Sequence, residues 1–103
     1  HPFAFDYEVD RELLERQKPI ATDFLSAVHV PKNCIVFTSI PWTDEHLGTG
    51  RALAEYLGVR FVLPKVDRLR TFDDSHLDHE SAERFARAFV AELDPIINEC
   101  LGK

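Results

Sequence analysis

The stretch Thr71-Phe72-Asp73-Asp74-Ser75-His76-Leu77-Asp78-His79-Glu80 sets an acid three positions ahead of a histidine, at the mouth of an amphipathic helix. At that spacing a carboxylate can accept the Nδ1 proton of an imidazole and leave Nε2 as a general base. Asp73 and His76 are therefore the candidate catalytic pair. A base of this kind needs a nucleophile to act on. Ser39 ends a hydrophobic run, but no glycine-flanked sharp turn exposes its hydroxyl as a nucleophile elbow would. Ser39 and Trp42, three positions apart at the end of that run, are instead the candidate substrate contacts, the indole offering a face on which a sugar ring can stack.

Two other chemistries compete for the same residues. Asp73 and Asp74 have the composition of a turn cap, which would leave His76 an ordinary surface residue beside a helix start. His76, His79, Asp73 and Glu80 also have metal-ligating side chains. With Asp78 as the helix cap, however, His79 falls in the first turn and His76 before it, so no metal is expected. Gly48-Thr49-Gly50-Arg51 opens a helix but lacks the lysine and the length of a phosphate loop. No cofactor is expected. His29 and His46 read as exposed loop residues.

The elements that must position these groups follow from spacing. Asp10 is a candidate N-cap for a helix whose Leu13, Leu14, Ile20, Ala21, Phe24, Leu25 and Val28 form one apolar stripe, and Pro19 is expected to kink or split it. Residues 2–9 read as a loop with some strand character. Residues 33–40 are a continuous run rich in branched side chains, the pattern of a parallel strand covered on both faces, and Pro41 and Trp42 end it. Residues 51–57 read as a helix closed by Gly58 in a left-handed position, and residues 59–63 as a second strand stopped by Pro64.

Strand, crossover helix and strand make a right-handed βαβ unit. Asp78 then caps a last helix with Ala82, Phe85, Ala86, Phe89, Val90 and Leu93 on one face, which Pro95 is expected to break. The expected fold is α/β: a parallel βαβ core flanked by helices, an incomplete three-layer α/β/α (flavodoxin-like) sandwich. In such sheets ligands sit beyond the carboxyl ends of the strands, where residues 39–42 and the connection to His76 both emerge.

Composition bounds the rest. The 103 residues are 45% hydrophobic and 11% aromatic, enough for one small packed unit over 1–103. With 12 basic against 18 acidic side chains the net charge is −6, which disfavours a nucleic-acid partner. No apolar run reaches the roughly 18 residues of a membrane span. Cys34 and Cys100 have no CxxC spacing, and neither a zinc site nor a disulfide framework is expected; the compartment stays open. Two parallel strands with apolar faces leave unpaired edges, so a missing N-terminal segment or another copy is expected to complete the sheet. The start on His1 rather than Met reads as a cut, and with the incomplete sheet the unit is expected to be the C-terminal part of a larger domain.

A strand ending Thr38-Ser39-Ile40-Pro41, a helix, the strand Val59-Arg60-Phe61-Val62, then Asp73-Asp74-Ser75-His76-Leu77 and the helix from Glu80 to Phe89 resemble the C-terminal half of the SGNH (GDSL-like) hydrolase and acyltransferase superfamily. The resemblance covers about residues 10 to 95, by element order and one short motif. It implies that Asp73 and His76 are the acid and base of a triad. It also implies metal-free hydrolysis or transfer of O-acyl groups on small-molecule or carbohydrate esters. The family's Gly-Asp-Ser nucleophile block and the Gly and Asn of its oxyanion hole have no match here, so this chain alone is expected to be inactive. The alternative from a different class is a non-catalytic α/β module that binds a ligand or a protein at the same edge.

Overall fold

A computed structural model of the chain describes residues 6–40, 46–73 and 76–102. Its elements are helix α1 (Arg11–Ala27), strand β1 (Val36–Phe37), helix α2 (Gly48–Leu57), strand β2 (Arg60–Phe61) and helix α3 (His79–Cys100), with one 3₁₀ turn at Lys32–Cys34 leading into β1. The class is mixed α/β, with three helices and a two-strand parallel sheet.

The helix starts follow from side chains that satisfy otherwise unpaired N–H groups. Asp10 accepts from Leu13 N at 3.0 Å and Asp78 from Ser81 N at 2.8 Å. α2 ends on Gly58 at φ +72°, where a side chain would be strained, and Lys32 Nζ donates to the Leu57 carbonyl at 2.9 Å. Pro19 does not split its helix, and the expected break at Pro95 does not occur. α1 runs unbroken through Pro19 and α3 through Pro95. Each proline removes one helical N–H, but Pro19 and Pro95 both lie on exposed surface, where water can satisfy the freed carbonyl.

β1 and β2 pair in parallel, Val36 opposite Arg60 and Phe37 opposite Phe61, and Val62 N–H donates to Phe37 O at 3.0 Å. The regular ladder is shorter than the apolar runs of residues 33–40 and 59–63. The strands are half-buried rather than covered on both faces, because among the described residues two of them make up the sheet. α2 packs on both strands, α1 packs on α2, and α3 contacts the 3₁₀ turn.

Two apolar clusters hold these pieces. Leu14, Leu53 and Leu57 join α1 to α2, with Ala21, Leu25 and Phe37 packed against them. Leu47, Leu63, Leu69 and Phe85 join the segment before α2, the segment just after β2, the loop beyond it and α3. The stripe expected on α1 is only partly used: Leu14 is buried, whereas Ile20 and Phe24 are 70% and 59% exposed. On α3, Phe85 is buried while Ala82, Ala86 and Val90 face outward. The whole is flat, 39 × 37 × 18 Å, with a radius of gyration of 14.7 Å. A compact chain of this length would measure about 13 Å.

A disulfide links Cys34 to Cys100, with Cα atoms 5.1 Å apart across 66 residues of sequence. This corrects the expectation of no disulfide: spacing carries no signal when the partners meet only because α3 returns to the start of β1.

Candidate functional site

The connection after β2 is drawn into a narrow hairpin by its own backbone. Asp78 N–H donates to Arg70 O at 2.8 Å and Phe72 N–H to His76 O at 3.1 Å, with a bridge between Thr71 and Leu77. Asp73 and His76 occupy the tip of this hairpin. One carboxylate oxygen of Asp73, Oδ1, accepts from His76 N at 2.7 Å, and the other, Oδ2, lies 2.7 Å from His76 Nδ1. A carboxylate beside Nδ1 keeps the proton on that nitrogen and presents Nε2 as the basic one. One oxygen of Asp73 thus caps the turn at His76 N and the other meets the ring.

The imidazole is open to its surroundings, with 70% of the side chain accessible. Phe72 stacks on it, ring centroids 5.8 Å apart and planes at 21°. Phe72 is itself 67% exposed, so the pair presents a flat aromatic surface beside the base.

The hairpin is anchored from beneath by α3. Ser81 Oγ accepts from Arg70 N at 2.8 Å, and Ser81 is fully buried. Arg84 donates to the carbonyls of Asp67 and Arg68, both at 2.7 Å, while its Nε donates to Glu80 Oε1 at 2.6 Å. Arg68 has φ +58°, a left-handed conformation that a non-glycine side chain seldom adopts, and Arg84 braces that turn from the carbonyl side. Asp78 is held below the ordinary carboxylate range, first by the Ser81 backbone N–H and then by its side chain. Asp67, Arg68, Arg70 and Asp78 are thus tied to the first two turns of α3. Ser81 and Arg84 were not singled out from sequence. The Asp78/Ser81 pair at cap and third position is the signal that could have found the first.

Ser39 lies elsewhere. It lines a cleft of about 310 Å³ between α1, the end of β1 and the start of α2, with Leu13, Gln17, Phe37, Thr49 and Leu53. A Cβ at Gly50 would run into Ser39 Oγ, so a larger residue there would require the serine side chain to turn away. His76 is not among the residues that line this cleft, and no described contact joins it to Ser39. Trp42 lies outside the described residues.

A second acid/histidine pair joins the N-terminal segment to α2. His46 Nδ1 is 2.7 Å from Asp6 Oδ2, and Leu47 N–H donates to Asp6 O at 2.8 Å. His46 is raised above the ordinary histidine value, mainly by its bond to the Asp6 carboxylate. Asp6 is lowered, first by the Glu8 N–H and then by His46. Glu8 lies close enough that Asp6, Glu8 and His46 offer ligand atoms within 4.8 Å of one another, all on partly or fully exposed residues. The segment passes so near α2 that a Cβ at Gly48 would strike the carbonyls of Tyr7 and Glu8.

No helix among the described residues is long and apolar enough to cross a membrane. Comparison with protein-family models, with curated proteins and with solved structures finds no match.

Proposed function

We propose that this chain supplies the acid/base half of an SGNH-type serine esterase or O-acyltransferase, with His76 as the base, Asp73 as the acid that orients it, and the nucleophilic serine on an upstream segment. The two-point grip of Asp73 on His76 carries this reading: 2.7 Å to the ring nitrogen and 2.7 Å to the backbone N–H fix both the tautomer and the ring. In the reaction, Nε2 takes the serine proton as its oxygen attacks the acyl carbonyl, and Asp73 stabilises the imidazolium that forms. The same proton then goes to the departing alkoxide. The substrate is a small-molecule or carbohydrate ester, and the exposed faces of Phe72 and His76 suit a flat or ring-shaped acceptor.

The same reading makes the chain one part of a flavodoxin-like three-layer sandwich, whose missing strands extend the β1–β2 pair. A sheet of two half-buried strands, a thickness of 18 Å and the exposed Ile20 and Phe24 support it. The test is to restore the sequence encoded before His1 and measure release of a chromogenic short-acyl ester. Activity that disappears in His76→Ala and falls steeply in Asp73→Asn is expected; equal turnover in His76→Ala would refute the proposal.

A second reading, a non-catalytic binding module, is favoured by the cleft beside Ser39, which His76 does not line. It requires that the longer protein bind a ligand through that cleft, with loss in Ser39→Leu and none in His76→Ala.

A further inference from the structure

The last turns of α3 have little packed against them. Asp94, Pro95, Ile97, Asn98 and Glu99 are all exposed, and Pro95 contributes no N–H to the helix. Among the described residues, two links hold this end to the body. Arg60 and Glu99 form an ion pair at 2.6 Å whose side chains are 36% and 60% exposed, a kind of pair that adds little in water. The other link is the disulfide between half-buried Cys34 and Cys100. It pins the end of α3 to the turn that feeds β1. The loop it closes contains β1, α2, β2 and the hairpin that bears Asp73 and His76.

We infer that Cys34–Cys100 is a structural clasp and that this chain is built to fold in an oxidising compartment. The bond forms by exchange: one cysteine thiolate attacks a disulfide oxidant, such as oxidised glutathione or a thiol–disulfide oxidoreductase, and expels one of its sulfurs as a thiol. The second cysteine then resolves the mixed disulfide. The chain loses two protons and two electrons, and the oxidant leaves as two thiols. Closing a loop of this size removes enough freedom from the unfolded chain to shift the folded-to-unfolded ratio roughly a thousandfold. Reducing compartments keep most such pairs open, so a fold that relies on this constraint fits poorly there.

The test compares the chain produced in a reducing bacterial cytosol with the chain exported to the periplasm, each quenched in acid and alkylated under denaturing conditions before any exposure to air. The exported form should take up no alkyl group and the cytosolic form two. Hydrogen exchange of the purified oxidised form should protect residues 96–102, and reduction in glutathione buffer should remove that protection and lower the folded-to-unfolded ratio by about the same thousandfold. Cys34→Ser/Cys100→Ser should show the same loss of protection and stability, and where that variant cannot be obtained folded, unfolding of the reduced wild-type chain is the supporting outcome in its place. Two alkyl groups on the exported form, a bond already closed in the cytosol, or unchanged protection and stability after reduction would each overturn the inference.

Discussion

Replacing Ser81 with alanine removes the acceptor that holds the root of the Asp73–His76 hairpin while leaving no space to fill. Ser81 Oγ lies 2.8 Å from Arg70 N, and the serine is fully buried. Its loss leaves the Arg70 N–H without that partner, a defect that costs about 1–3 kcal/mol when water cannot compensate. The Arg70 side of the bond is exposed, so water recovers part of this and the expected loss is in the lower half, about 1–1.5 kcal/mol. That is roughly a tenfold fall in the folded-to-unfolded ratio and, for a domain of this size, a drop of about 0.5–1 M in the urea midpoint. Urea unfolding followed by circular dichroism measures it, and hydrogen exchange localises it. The amides of Arg70 and Asp78 should lose protection together, because Asp78 N–H is bonded to Arg70 O in the same turn. Ser26→Ala, which removes only an exposed bond to the Asp23 carbonyl, is the control and should stay within about 0.5 kcal/mol of the parent. A Ser81→Ala variant as stable as that control, with Arg70 still protected, would refute the anchoring of the hairpin by α3.

Leu69→Ala should cost about 2–5 kcal/mol in the same unfolding assay, because Leu69 is fully buried against Leu47, Leu63 and Phe85 and its loss leaves a cavity. Asp10→Ala should destabilise by about 1 kcal/mol and fray the first turn of α1, which exchange at Leu13 would report. The Asp6–His46 clasp should depend on pH from both sides. His46 has a raised value in the folded chain, so its contribution is full below its ordinary 6.5 and is lost as pH rises through the raised value. Asp6 has a lowered value, so its contribution is present above its ordinary 3.8 and is lost as pH falls through the lowered one. Protection of the Leu47 amide should therefore peak between these limits, and a flat profile from acid to alkaline pH would contradict it.

Local chemistry was legible without coordinates. Asp10 and Asp78 announce the starts of α1 and α3, Gly58 announces the end of α2, and two apolar runs flanking a helix announce the parallel pair. The Asp73–His76 contact belongs to the same kind, since three residues of spacing bring the groups together through backbone geometry alone. Each of these depends on groups within a few positions of one another, where the choice of side chain nearly decides the conformation.

Tertiary structure decided what depends on meetings between distant segments. Whether Ile20 and Phe24 would be covered could not be read from the α1 stripe, because periodicity marks a face without saying what lies against it. Pro19 and Pro95 carry a local penalty that an exposed surface relieves, so α1 is not split and α3 runs on past its proline. Leu47 and Leu69 sit in connections, yet they are core because α3 folds over them. Asp6 finds His46 forty residues away, and Cys34 finds Cys100 across 66, only after the chain has closed on itself. Sequence determined the caps, the parallel pair and the acid beside the histidine; which apolar faces are buried, what braces the hairpin and which cysteines meet were settled by packing, since long-range contacts leave no mark in local spacing.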